Sequence, residues 1–311
     1  SFDYRYSNLC NFKCRMCGEQ LSSSWEAEKK MNNMWTIEEQ PFMQKDVKKK
    51  MTTFQTEVVE PEFREAISKG IIEEIYWVGG EPLMYDIHWW ALEEMIKNGS
   101  AKNCYLRYNS NLSRIEFKGQ KLFDYLPQFK DWQMCASIDG TGDIVEFIRK
   151  GIVWDEWLDN FKEGLAAPGG KDKMLFDLTI TGPGMFSIKD LFDLSLELDV
   201  RIETKIMFAF HPDIVFSPFA WPKHILLRKI DELLEYIEPR ATKKQTTLVN
   251  TLREMKNRPS FEEEHPGNFA KERLHGKGFQ DWLDEIRDEK ITIADIYKAD
   301  DELYEWWVSN D

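Results

Sequence analysis

The chain has 311 residues, enough for one large domain or two ordinary ones. Hydrophobic residues at 42% against 31% charged supply a sizeable core and exclude a disordered or fibrous chain. No run of about eighteen apolar residues offers a membrane-spanning helix. The net charge of −14 makes an acidic surface that repels phosphate backbones, so nucleic acid is a poor partner, and the run Lys48-Lys49-Lys50 reads as a solvated helix face. The N-terminus, SFDYRYSNLC, lacks the basic and apolar regions of a secretory signal, and Ser1 in place of Met points to processing or trimming.

Apolar, β-branched and aromatic runs alternate with amphipathic stretches along the chain. Residues 2–7 read as a first strand, 58–70 as a helix, and 73–78 as a strand that breaks at Gly79-Gly80. A helix over 88–98 follows, then a strand over 103–108 running into Asn109-Ser110-Asn111, and another over 132–138 ending at Asp139-Gly140. Helices are expected at 143–150 and 154–165, a loop at 167–170, a strand at 174–181, a helix at 187–198 and a sixth strand at 201–208. From about 221 the pattern is mostly helical. Strands alternating with helices imply parallel crossovers, closed partly as a barrel or open as a doubly wound sheet. Residues 21–57 form a long helical insertion after the first strand, read either as a cover over a site or as a plain surface insertion. Glycine-rich and polar segments follow the strand ends, where ligands bind in parallel α/β folds.

Five cysteines are present, and three of them, Cys10, Cys14 and Cys17, crowd into one short loop. That spacing is a poor disulfide framework and suits a metal held in a reducing, cytoplasmic setting. Thiolates favour zinc or iron–sulfur, but a structural zinc site needs four closed ligands, and no fourth Cys or His lies nearby. Cys104 and Cys135 fall in apolar strand patterns and read as buried packing residues. The five histidines, His88, His211, His224, His265 and His275, show no metal spacing. Within Trp89-Trp90 and Trp306-Trp307, one member of each pair is expected at an edge.

The motif C-x3-C-x2-C after a first strand resembles the radical S-adenosylmethionine (SAM) superfamily. Tyr76-Trp77-Val78-Gly79-Gly80-Glu81-Pro82-Leu83 is similar to the GGEP motif of that family. Asn109-Ser110-Asn111 matches loosely a strand-ending segment, with Leu112 departing from it. Ser137-Ile138-Asp139-Gly140 resembles the S-x-D-G segment, and Val145–Gly151 resembles the Y-x-R-x-G segment of peptide-modifying members. Met16 stands where the family usually has an aromatic residue. The run SNLCNFKCRMC…SSSW resembles a twitch-type subgroup of the SPASM/twitch enzymes.

The resemblance covers roughly residues 2–210. It implies a partial (β/α)6 TIM-like barrel with parallel strands: a core over 1–210, with the helical insertion at about 21–57, and a helical C-terminal extension over 211–311 capping it. It further implies a [4Fe–4S] cluster on Cys10, Cys14 and Cys17. SAM would be held by Met16, Gly79, Gly80, Glu81, Pro82, Asn109, Asn111, Ser137, Asp139 and Arg149, with Glu81 toward its ammonium and Arg149 toward its carboxylate. The implied activity is reductive cleavage of SAM to a 5′-deoxyadenosyl radical that takes hydrogen from a peptide or protein. A flavodoxin- or ferredoxin-type donor would supply the electron, with no role for a membrane. Two alternatives stand beside it: the same chemistry on a small metabolite or nucleoside, and a non-catalytic zinc protein. With only Cys104 and Cys135 left over, a single cluster is expected, and an auxiliary cluster is either absent or carried by an upstream module.

Overall fold

A computed structural model describes residues 1–5, 7–34, 44–208 and 214–309. Part of the helical insertion, residues 35–43, and His211 lie outside the described residues. Six parallel strands belong to one sheet and follow one another in chain order: β1 Phe2–Tyr4, β2 Glu74–Trp77, β3 Tyr105–Ser110, β4 Asp131–Ser137, β5 Met174–Ile180 and β6 Arg201–Ile206. Helices α1 Ser23–Met31, α2 Lys45–Phe54, α3 Glu60–Ser68 and α4 Asp86–Lys97 lie among the first three strands. Helices α5 Gly142–Ile148, α6 Trp154–Ala166 and α7 Ile188–Glu197 lie among the last three. The remainder is helical: α8 Lys223–Ile237, α9 Thr246–Asn257, α10 Phe269–Arg287, α11 Ile293–Tyr297 and α12 Asp301–Val308. This parallel alternation is the (β/α)6 arrangement and helical C-terminal region that the sequence predicts.

The chain forms two compact units. The first comprises Ser1–Lys13, Cys17–Ala136 and Glu156–Met174, and the second Cys14–Met16, Ser137–Asp155 and Leu175–Asp311. In the first unit, β3 alternates between half-buried and buried residues, and β4 does the same after an exposed Asp131, because successive side chains of a strand point to opposite faces. Leu106, Tyr108, Trp132, Met134 and Ala136 are buried, and the paired register Arg107↔Gln133 and Asn109↔Cys135 marks the other face. Cys135 therefore departs from the buried packing role expected of it and is half-buried beside Asn109. Cys104 lies just before β3, fully buried, and burial pushes its thiol up to about 12.

An aromatic column fills the first unit. The Tyr4, Phe63 and Trp77 rings stand 4.3 and 5.8 Å apart in sequence, and His88 packs edge-on against Trp77 at 4.8 Å. The His88 Nε2 meets the Tyr108 hydroxyl at 2.9 Å, and full burial lowers its pKa to about 3, so it is a neutral core imidazole. Trp89 is buried and Trp90 half-buried; Trp307 is buried and Trp306 half-buried, as the adjacent pairs lead one to expect. Lys48 sits on α2, where it pairs with Glu26 at 2.5 Å.

Helices α2 and α3 are joined by a widened π turn, Gln55–Val59. Pro61, at the start of α3, has no N–H to donate to the preceding turn. A single turn inside a longer helical run is the usual form that π geometry takes.

Candidate active site

In the first unit the parallel direction of β1, β2 and β3 brings the segments after their C-terminal ends together. The turn after β2 docks on the start of the cysteine loop through its main chain. Gly80 N–H donates to Ser7 O at 3.2 Å, and Glu81 N–H donates to Leu9 O at 2.7 Å. A Cβ on Gly80 would stand 2.8 Å from the carbonyl carbons of Asn8 and Leu9, so only glycine allows this approach. Gly79 takes φ of +120°, which also favours glycine. The Tyr85 hydroxyl donates to Ser7 O at 2.8 Å and accepts from Gly80 N–H at 3.1 Å, and burial raises its pKa to about 12.

Glu81 is fully buried, and its carboxylate is filled from within the chain. Oε1 accepts from Leu83 N–H at 3.0 Å and from the Ser110 hydroxyl at 2.8 Å, and Oε2 accepts from Asn111 N–H at 2.6 Å. The side chain therefore straps the turn after β2 to the end of β3. Pro82 follows in a buried 3-10 turn. Asn109, on the half-buried face of β3, accepts from the Tyr76 hydroxyl at 2.6 Å.

Three serines clamp the cysteine loop from the start of α1. The Ser23 hydroxyl accepts from Cys10 N–H at 3.2 Å, the Ser24 hydroxyl donates to Cys10 O at 2.8 Å, and the Ser22 hydroxyl donates to Phe12 O at 2.5 Å. Ser22 also caps α1 by accepting from Trp25 N–H. The S-S-S-W run is visible in the sequence, but this clamping role is not, because nothing there shows which carbonyls lie opposite.

The Cys10 sulfur is buried and receives N–H from Phe12 at 3.5 Å and from the Asn111 amide at 3.8 Å. Such donors suit a thiolate, because a neutral thiol sulfur is a weak acceptor. Cys14 is buried, Cys17 is half-buried, and all five cysteines are free of disulfides. Among the described residues no three His, Cys, Asp or Glu side chains converge as around a single ion. Thiolates suit the irons of a [4Fe–4S] cluster, where each protein sulfur binds a separate iron.

In the second unit Arg15 is fully buried. Its Nη1 donates to Gln280 Oε1 at 2.9 Å, and its guanidinium pairs with Asp284 and, at 3.1 Å, with Glu289. The same group lies 3.9 Å from the Phe147 ring centre, and Arg15 N–H donates to Ile148 O at 2.8 Å. Burial pushes Asp284 up to about 6 despite the nearby guanidinium. Arg15 was missed by sequence reasoning: its partners lie on and just beyond α10, far along the chain, with no local signal. Met16 beside it is half-buried.

Asp139 is fully buried, and Arg149 meets it through two nitrogens, Nε at 2.6 Å and Nη2 at 3.0 Å, while Thr179 N–H donates to its Oδ1 at 2.9 Å. Arg149 thus forms a buried ion pair with Asp139. Burial raises the pKa of Asp139, and Arg149 offsets part of that rise. Ser137 is half-buried, and its hydroxyl donates to Asp177 Oδ2 at 3.5 Å.

The profile of the radical SAM superfamily matches residues 4–185, more than half of the chain. This chain belongs to the radical SAM superfamily. Members of the superfamily use a [4Fe–4S] cluster and SAM. Solved structures similar to this radical SAM chain include native anSMEcpe with bound AdoMet, at 14% identity, 76% of this chain, 59% of that chain and a TM-score of 0.48. Native anSMEcpe with bound AdoMet and Kp18Cys peptide gives 14%, 76%, 59% and 0.46. Streptococcus suis SuiB bound to precursor peptide SuiA gives 16%, 86%, 55% and 0.48. The chain thus spans between 55% and 59% of the length of these structures. No curated protein sequence matches it. No described helix is long and apolar enough to cross a membrane.

Proposed function

We propose that Cys10, Cys14 and Cys17 hold a [4Fe–4S] cluster in this chain, that SAM binds beside it, and that the substrate is a peptide or protein. Bound there, the cluster and SAM supply a 5′-deoxyadenosyl radical able to take hydrogen from an unactivated C–H bond. The observation that carries this reading is the Cys10 sulfur, which collects two N–H donors on a loop clamped by three serines and docked on the Gly80–Glu81 turn.

The chain's own residues position and shield. The serines and Gly80 fix the loop, and the Glu81 strap holds the ends of β2 and β3 in register. Main-chain groups of Gly79, Gly80 and Pro82 and the side chains of Met16, Asn109, Asn111 and Ser137 are the groups we assign to SAM. Glu81, Asp139 and Arg149 complete the set that the resemblance assigns to SAM, and each is also held by internal bonds. The peptide or protein substrate rests on the likeness of Val145–Gly151 and of the SNLC…SSSW run to peptide-modifying members, and a flavodoxin- or ferredoxin-type donor in a reducing cytoplasm completes the reading.

Anaerobic reconstitution with iron and sulfide tests the ligand set. About four irons per chain are expected by the stoichiometry of such a cluster. Cys10→Ala, Cys14→Ala and Cys17→Ala should each lower that content severely, and the Cys104→Ala, Cys135→Ala double variant should keep it. Parent-like iron in any of the three single variants would remove that residue from the set. Loss of a second, spectroscopically distinct signal in the double variant would show an additional cluster.

A further inference from the structure

Asn111 stands out because every polar atom of its amide has an assigned direction. Ser113 N–H, a main-chain group that can only donate, points at Asn111 Oδ1 at 2.9 Å, and the Ser113 hydroxyl adds a second bond at 2.7 Å. The oxygen end is thereby fixed, so the NH2 end must face the Cys10 sulfur at 3.8 Å and Asn11 Oδ1 at 3.1 Å. The main chain of Asn111 is held as well, through its N–H to the buried Glu81 carboxylate at 2.6 Å. The residue is 7% exposed and is followed by Leu112 at φ of +52°. A non-glycine residue in that region is uncommon and is kept only where its surroundings over-determine it.

We infer that Asn111 is a positioning residue that acts on the cluster through Cys10 and sets its reduction potential. This rests on the cluster ligation proposed above. An N–H directed at a ligand sulfur stabilises negative charge there, and one-electron reduction adds negative charge to the cluster and its thiolates. The bond therefore strengthens on reduction and favours the reduced state. Supporting partners of this kind tune metal centres without touching the metal.

The test is an anaerobic redox titration with dithionite as reductant, followed by electron paramagnetic resonance of the reduced cluster, on parent and variants. Asn111→Leu, similar in size and without a donor, should load as much iron as the parent. It should show a more negative midpoint, read as a several-fold lower reduced-to-oxidised ratio at the same applied potential. Asn111→Asp keeps the acceptor toward Ser113 and exchanges the donor for a carboxylate whose negative charge also opposes reduction, so it should shift the midpoint further in the same direction; Asn111→Ala, which removes the donor without adding charge, carries the test where the leucine variant loads poorly. The midpoint is read in the absence of SAM, so the SAM contact assigned to Asn111 above does not enter it. A parent midpoint in both uncharged variants overturns the inference. A parent that binds no iron overturns the ligation reading, and this inference with it; a loaded parent with unshifted variants overturns this inference alone.

Discussion

At Gly80 the requirement for glycine comes from the chain itself. A Cβ there would collide with the main chain of Asn8 and Leu9, two residues before and one before the first cysteine. Gly80→Val should therefore push the cysteine loop off the turn after β2, at an overpacking cost of about 1–3 kcal/mol. The expected outcome is a lower melting midpoint together with a several-fold loss of reconstituted iron; parent-like iron in the folded variant would contradict it. The glycine pair announces close approach in the sequence, but which backbone approaches depends on the sheet register and is not written locally. Glu81 and Arg149 show the same limit. Their charges are plain in the sequence, yet their partners, Ser110 and Asn111 for one and Asp139 for the other, come together only through folding.

Secondary elements were legible where periodicity was strong. The six strands lie within two or three residues of the expected positions because their apolar runs are short and bounded by turn residues. Cys135 shows where composition misleads: the run WQMCASI reads as an apolar strand that would bury its cysteine, but its period of two puts Cys135 opposite Met134 and Ala136, on the half-buried face. Helix α4 carries a pH dependence that its sequence hides. His88 has an ordinary pKa of 6.5 and a folded value of about 3, so the fold favours the neutral ring. A depressed value means that His88 contributes its full stability above about pH 6.5 and loses it as pH falls toward 3, by up to about 1.4 kcal/mol per pH unit. Urea unfolding midpoints between pH 7.5 and 4 should fall more steeply in the parent than in His88→Leu. Equal slopes would show that His88 does not titrate with unfolding.

At the scale of the whole chain, distant segments were the least legible. Arg15 sits inside the cysteine motif, yet its charge is balanced by Asp284 and Glu289 and its amide partner is Gln280. Within the second unit the helical C-terminal region thus reaches the middle of the motif, a reason for that region that its own sequence does not state. The acidic excess of the chain is likewise spent partly inside, on Glu81, Asp139 and Glu26, the last held down to about 2 by Lys30, Lys48 and Asn8 against the opposing effect of burial. What the sequence did carry was the motif spacing, because three thiols in one loop and a glycine turn after β2 are local features. The measurement that bears most directly on the central claim is 5′-deoxyadenosine formed from SAM by anaerobically reconstituted protein with dithionite, quantified by mass spectrometry beside Cys14→Ala. The account predicts 5′-deoxyadenosine from the parent and none above background from the variant; a loaded parent that leaves SAM intact, or a variant that cleaves it at the parent rate, would contradict it.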